Sequence, residues 1–290
     1  MTDRAVAAAA ELLDIAATER HLVDLLTADA PDLGVGTAYA IQDDLIGRRV
    51  ARGDRVIGAK LGLTSLAKQR EMRVHEPIGG WLTERMRLDA DEALATDELV
   101  QPRCEPEIAF WLDRPLAGAD TDATDVMAAT GALMTAIEVL DSRYRGYRFT
   151  LPDVIADDAS AARFLVGEPV APAGVDRIGC GVRFWVDDEE VASATGAAVM
   201  GDPAEAVAWW VRHLAASGRG LEAGMVVLSG ALTGAHAVRP GSRVRAEIDG
   251  RARSSSHAAD AARPTAPTGH HGRRPPARSV GGLGRGRRSR

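Results

Sequence analysis

The stretch Glu105-Pro106-Glu107-Ile108-Ala109-Phe110-Trp111-Leu112 constrains this chain more than any other. Read as a strand, it sets Pro106, Ile108, Phe110 and Leu112 on one face and Glu105, Glu107, Ala109 and Trp111 on the other. The first face asks for an apolar layer. The second puts two carboxylates about 7 Å apart along the strand, and these repel if they bend toward one point without a cation or shared proton between them. Mg²⁺ or Mn²⁺, which prefer oxygen ligands, would supply that charge. Glu138 is a third acid, set in an apolar run between Ile137 and Val139, and Asp141 follows as a supporting group or helper base. The bland alternative for a Glu-x-Glu pair is the solvated face of an edge strand.

Around this strand the pattern predicts helices at 6–26, 37–51, 124–134 and 203–216, and partly helical chain over 151–166. Strands are predicted at 56–62, 81–88, 136–140, 225–229 and 243–248, with a hairpin of 182–186 and 191–195 around four acids. Pro77-Ile78-Gly79-Gly80 reads as a turn. Helices lead and strands dominate later without regular alternation, so the fold class is α+β. The organisation expected is an N-terminal helical region 1–54, a catalytic α+β domain 55–250 and a tail 251–290.

The tail differs in kind. The chain of 290 residues carries a net charge of −6, yet 251–290 holds ten of its 35 basic residues and one of its 41 acidic ones. The remainder has 25 basic against 40 acidic residues and is strongly acidic. With so few large apolar residues the tail is expected to stay disordered, and its composition is that of an arginine-rich coding strand read out of frame. A binder of nucleic acid through the tail is the reading from another class; without aromatic residues such binding would be non-specific. An inactive relative of an enzyme is another alternative.

No apolar run is long enough to cross a bilayer, and the N-terminus lacks the pattern of a secretory signal, so a cytoplasmic protein is expected. Cys104 and Cys180 are too far apart for a cysteine metal motif. Of the 35 basic residues only Lys60 and Lys68 are lysines. Where arginine is the rule, a retained lysine points to a proton-transfer or point-charge role, since arginine is locked in its charged form. Lys60 lies at the end of the predicted strand 56–62; Lys68 reads as a surface-loop residue.

Several segments in order carry a resemblance: Gly58-Ala59-Lys60-Leu61-Gly62-Leu63-Thr64-Ser65, Glu76-Pro77-Ile78-Gly79, Pro102-Arg103-Cys104-Glu105-Pro106-Glu107, Glu138-Val139-Leu140-Asp141-Ser142-Arg143 and Ala156-Asp157-Asp158-Ala159-Ser160. Over about residues 5–250 the chain resembles the hydratase/decarboxylase family of the meta-cleavage pathway for aromatic catabolism. That family comprises 2-hydroxypenta-2,4-dienoate hydratases and 4-oxalocrotonate decarboxylases and is related to the fumarylacetoacetate hydrolase fold. The resemblance implies a mixed β-sheet roll with N-terminal and flanking helices and a Mg²⁺ or Mn²⁺ site. It further implies a small-molecule 2-oxo acid substrate, a homo-oligomer and a complex with the pathway hydratase.

Carried over by position, Glu105, Glu107 and Glu138 resemble the metal ligands and Lys60 the catalytic lysine. Leu63, Ser160, Ser229 and Thr233 resemble substrate contacts. Hydratases of the family tend to carry aspartate directly after the turn proline; this chain has Pro77-Ile78, which favours the decarboxylase. The chain departs from the family at Arg73, where glycine is usual, at Gly79, where an aromatic is common, at Gln101, where histidine is common, and at Asp158, where asparagine is common.

Overall fold

The alternation in the Glu-x-Glu segment becomes the spine of the molecule. The computed structural model describes residues 1–65, 68–70, 74–89 and 92–249, with the backbone of 252–259. Three helices come first: α1 (Asp3–Glu19), the single turn α2 (Leu26–Asp29) and α3 (Val35–Ala51). Strands β1 (Val56–Gly62), β2 (Ile78–Thr83), β3 (Ala93–Ala95) and β4 (Arg103–Leu112) follow, then α4 (Ala123–Ala129) and β5 (Thr130–Leu140). Helix α5 (Leu151–Ala156) leads to β6 (Ala161–Val166), β7 (Gly181–Val186) and β8 (Glu189–Thr195). Helix α6 (Pro203–Ala215) precedes β9 (Val226–Leu228), β10 (His236–Ala237), β11 (Arg243–Ile248) and β12 (Ala252–Ala259).

Two sheets result. The larger has the order β2-β1-β9-β4-β5-β6 with β10 also on β4, and the smaller has the order β3-β12-β11-β7-β8. The fold is α+β, with both parallel and antiparallel pairs in each sheet.

In the register of β4 on β5, Glu105 lies opposite Glu138 and Glu107 opposite Ala136, which places all three glutamates on one face. The other face of the same strands is apolar. Cys104, Ile137 and Val139 pack against Phe184, Val244 and Ala246 of the smaller sheet, while Ile108, Phe110 and Leu112 join Val207, Trp210 and Val211 of α6. Helix α6 starts where Asp202 accepts from the amide of Ala204, with Pro203 in the first turn.

Lys60 on β1 is separated from β5 by β9 and β4. In a flat sheet three strand spacings would put roughly 14 Å between their backbones. Its ammonium nevertheless reaches 3.0 Å from Glu138 Oε1, because the sheet curls on itself around the glutamate face. Close approach at the parallel β1–β9 pair requires a glycine: a Cβ on Gly58 would lie 1.9 Å from the Val226 carbonyl oxygen.

Four sequence expectations change. The helix expected over 124–134 stops at Ala129, and β5 begins at Thr130, because β4 offers pairing partners along its whole length and overrides local helix propensity. Gly79-Gly80 is no turn but the middle of β2, where a Cβ on Gly79 would meet the Trp210 ring at 2.5 Å. In 151–166 only the first six residues are α-helical, and 161–166 is a strand.

The fourth is the tail. Its residues 252–259 form a strand, antiparallel to β11 and parallel to β3. Backbone hydrogen bonds to two neighbouring strands do not depend on apolar composition. Residues 260–290 lie outside the described residues, as does Arg73. The helices within 1–54 are not a separate layer: Leu13, Ile41 and Leu45 share one apolar cluster with Val154, Ile155 and Ala159. No helix among the described residues is long and apolar enough to cross a membrane.

Candidate metal and substrate site

Among the described residues, Glu105, Glu107 and Glu138 each bring one carboxylate oxygen to within 4.8 Å of the others'. All three are buried, Glu107 and Glu138 completely. Oε2 of Glu105, Oε1 of Glu107 and both oxygens of Glu138 accept no hydrogen bond. Oε1 of Glu138 is the Lys60 partner at ion-pair distance, but without hydrogen-bond alignment. Buried carboxylate oxygens left open in this way are costly unless a cation fills the space between them. The donor set is all oxygen and triply acidic, which fits a hard divalent cation.

The charges respond accordingly. Burial, and then the Glu138 charge, raise the Glu105 carboxyl to about 7 against the pull of Lys68 and Lys60. Burial followed by Glu138 and Glu105 raises Glu107 as well. For Lys60, burial acts to lower the ammonium, yet Glu138, Glu105 and Glu107 overcome it and the net direction is upward. Protons and Lys60 thus share the charge-balancing that a divalent ion would perform.

A cavity of about 520 Å³ opens beside the glutamates and includes Lys60, Leu63, Glu105, Ser160 and Thr233 in its wall. Of the five catalytic and substrate contacts inferred by resemblance, four reach this cavity: Lys60 and Leu63 from β1 and its end, Ser160 from the turn before β6, and Thr233 from the loop after β9. Lys60 also donates to the Ala159 carbonyl at 3.1 Å. That carbonyl belongs to three successive non-glycine residues with positive φ, Asp158 (51°), Ala159 (49°) and Ser160 (61°).

Such a run is strained and needs over-determination. Asp158 supplies it by accepting from the Trp81 amide at 2.8 Å and pairing with Arg49 at 3.1 Å. Burial raises Asp158 to about 6 despite that guanidinium. The charge that asparagine would lack is therefore used here to fasten α3 to the turn. Ser160 Oγ, held by the turn, is buried and without a hydrogen-bond partner.

Ser229 is buried, also with an unpartnered Oγ, but the cavity wall is built from the next residues, Ala231 to Thr233. The turn's own contribution is to hold Glu107, whose Oε2 accepts from the Gly230 amide at 2.6 Å. Asp141 is placed elsewhere. Its carboxylate accepts from the amides of Val100 and Gln101 at 2.7 to 3.0 Å, and it does not line the cavity. It anchors the approach to β4 and offers no free oxygen of the kind a helper base needs; its proximity in sequence to Glu138 misled because the strand ends at Leu140.

Gln101 is equally structural, donating to the carbonyls of Ser142 and Tyr144 at 2.7 Å each. The space that an aromatic at position 79 would take is filled by Trp210. Glu84 pairs with exposed Arg55, Asp153 accepts from Thr27 and Thr150, and Asp157 pairs with buried Arg143. These three acids hold the scaffold.

Sequence reasoning missed Lys68, Arg103, Tyr147 and Phe149, all in the cavity wall. For Lys68 the signal was present, since it is one of two lysines in the chain. For the others no local pattern distinguishes a cavity wall from a surface.

Residues 55–256 match the fumarylacetoacetate hydrolase C-terminal family. The chain belongs to this family. It is 36% identical over 251 residues to a 4-oxalocrotonate decarboxylase of Pseudomonas sp. (strain CF600), covering 86% of this chain and 95% of that protein. It is 39% identical over 201 residues to a 2-hydroxypent-2,4-dienoate hydratase of Pseudomonas putida, covering 69% and 90%. Among solved structures, 4-oxalocrotonate decarboxylase from Pseudomonas putida G7, complexed with magnesium and adipate, superposes with a TM-score of 0.86 at 33% identity over 89% of this chain and 98% of that one. The fold of this family and a divalent metal site accord with the geometry above.

Proposed function

We propose that the chain is a divalent-metal-dependent lyase that decarboxylates 2-oxo-3-hexenedioate (4-oxalocrotonate) to 2-hydroxypenta-2,4-dienoate and CO₂, acting in the cytoplasm. The observation that carries this reading is the group of three buried, open-sided glutamates, one of which, Glu105, lines the cavity together with Lys60. Support comes from the decarboxylase relative, matched over 95% of its length, and from the magnesium in the similar solved structure. Magnesium is accordingly the metal proposed, with Mn²⁺ as a substitute.

Glu105, Glu107 and Glu138 would hold the ion, and its contribution when bound is Lewis acidity toward a 2-oxo carboxylate. Loss of CO₂ breaks the bond to the distal carboxylate, the electron pair moves through the alkene to the 2-oxo oxygen, and one proton, taken from Lys60 Nζ or water, completes the 2-hydroxyl of the product. Lys60 keeps a charged Nζ between Glu138 and the Ala159 carbonyl, where it orients Glu138 and holds a proton beside the reacting end. Ser160 Oγ is the unpaired hydroxyl available to a substrate oxygen. Leu63, Ile78, Leu140, Phe149, Val154 and Leu232 give the cavity an apolar wall that excludes water.

One of these bears on the choice of reaction. Ile78, directly after Pro77, is buried and faces the cavity, so the turn brings no carboxylate there to handle water. Hydration of 2-hydroxypenta-2,4-dienoate is the second reading, and the hydratase relative supports it. A homo-oligomer and a complex with the pathway hydratase belong to the same proposal and are tested by sedimentation of the chain alone and with that hydratase. The deciding experiment measures CO₂ release from 2-oxo-3-hexenedioate with Mg²⁺, with EDTA and with Glu105→Gln. Metal-dependent release abolished by the substitution is expected; hydration of the dienoate without CO₂ release would overturn the decarboxylase reading.

A further inference from the structure

The turn that places Lys60 is built from residues that resist its shape. Asp158, Ala159 and Ser160 all have positive φ, and the run supplies both the carbonyl that accepts from Lys60 Nζ and the Ser160 side chain in the cavity wall. Backbone hydrogen bonds hold its exit, from the Ser160 amide to the Asp157 carbonyl and from the Asp141 amide to the Ser160 carbonyl, at 2.9 Å each. A side chain holds its entry: Asp158 Oδ1 accepts from the Trp81 amide at 2.8 Å, and Oδ2 from Arg49 Nη1 at 3.1 Å. Strand β2 comes this close because residue 80 is glycine; a Cβ there would lie 2.7 Å from the Asp158 carbonyl oxygen. The two ends of the ion pair are unequal. The Asp158 side chain is fully buried, whereas that of Arg49 is 13% exposed and lines a different cavity, of about 230 Å³, together with Asp14 and Asp54. Arg143 cannot stand in for Arg49, since its guanidinium is taken up by Asp157 and by the Asp141 carbonyl.

We infer that Arg49 is a positioning residue of the active site: by neutralising Asp158 it keeps the turn 158–160 in the shape that sets Lys60 Nζ and the Ser160 hydroxyl. The effect on rate rests on the function proposed above, while the shape of the turn can be followed without turnover. Arg49 belongs to α3, ahead of the residues 55–256 that match the family, so the N-terminal helices reach the chemistry through one guanidinium. The unequal burial gives the pair a direction. Without the Asp158 charge, Arg49 still has water and the acids of its own cavity within reach. Without Arg49, a carboxylate is stranded in the interior at the entry of a strained turn, and the backbone must move to relieve it. Asparagine at position 158 can keep an oxygen toward the Trp81 amide and carries no charge, so it needs no arginine. Residues 49 and 158 are therefore coupled, and the loss of one partner is repaired by neutralising the other.

The test compares Arg49→Met, Asp158→Asn and the double variant in the full chain with Mg²⁺. Two readouts are kept apart: CO₂ release from 2-oxo-3-hexenedioate, and amide hydrogen exchange over residues 157–161. Arg49→Met should slow turnover about 10²-fold, the scale of a catalytic group moved by about 1 Å, and should speed exchange over the turn at least about tenfold. Asp158→Asn should cost far less in both, and the double variant should return to the level of Asp158→Asn. Had Arg49 served only to pack α3, neutralising Asp158 would repair nothing, so a double variant as slow as Arg49→Met overturns the inference. An Arg49→Met protein with the parent's exchange over the turn, or with the parent's rate of CO₂ release, overturns it too. If Arg49→Met does not fold, the double variant decides: folded and as active as Asp158→Asn, it upholds the inference; unfolded or slower, it overturns it. If the unaltered protein releases no CO₂, the proposed reaction falls, and exchange over the turn, raised in Arg49→Met and restored in the double variant, scores the positioning role alone.

Discussion

The two sheets use the same alternation for opposite ends. In the smaller sheet the buried face of β7 and β11 is Val182, Phe184, Val244 and Ala246, and every side chain of that set finds an apolar neighbour. In the larger sheet the face carrying Glu105, Glu107 and Glu138 is just as buried, yet it holds four carboxylate oxygens with no hydrogen bond. One face is complete without a ligand. The other is balanced only by protons, by Lys60 or by a cation. Burial in the first region stabilises the fold, and in the second it stores the electrostatic demand that a metal would meet.

That contrast is broken most severely by exchanging function for stability within one substitution. Glu105→Gln should lower metal-dependent turnover by about 10³, the scale of losing an electrostatic stabiliser of the transition state, while the metal-free protein melts no lower than its parent. A coupled fall in Tm would mean that the glutamate is structural after all. On the other sheet Phe184→Ala should cost about 3–5 kcal/mol of stability by denaturant titration, with the molecules that remain folded binding metal as before.

A finer measurement follows protons. The Glu105 carboxyl is raised to about 7 in the metal-free fold, so its neutral form is the favoured one there below that pH. Burying it ionised therefore costs stability as pH climbs from its usual range through 7, and a cation must displace its proton below 7. Mn²⁺ affinity measured by titration should strengthen as pH rises from 6 to 8, by up to about tenfold per unit per proton released. An affinity independent of pH over that interval would place the ion elsewhere. The smallest effect belongs to the rim of the smaller sheet, where Arg183 is half exposed beside Glu247. Arg183→Ala should shift stability by less than about 1 kcal/mol, and a larger loss would show that this sheet, too, depends on charge.

How much of this was legible in the sequence depended on whether neighbours along the chain are also neighbours in space. The β4 faces and the Glu138 oddity could be read because period two is local and an acid in an apolar run stands out. The full length of β5 could not, since its first six residues gain their extended form from β4. Asp141 and Glu138 are three apart in sequence, but only the fold shows one carboxylate turned to backbone amides and the other to the glutamate cluster and Lys60. Lys68 was singled out by rarity and then set aside as a surface residue, because no pattern in a short helical turn says that a sheet curls over it. The tail's first residues pair as a strand through their backbone, which composition does not report.

The parallel contact of β1 with β9 joins residues 58–60 to residues 226–228, almost the whole catalytic region apart. During synthesis, β1 can pair only with β2 until the ribosome has released the segment around residue 228. The glutamates of β4 and β5 form their hairpin much earlier, but Lys60 cannot be carried over to them before that late arrival. Assembly of the lysine with the acids is thus a record that synthesis has passed β9, and metal capture by a nascent chain should appear only after that point.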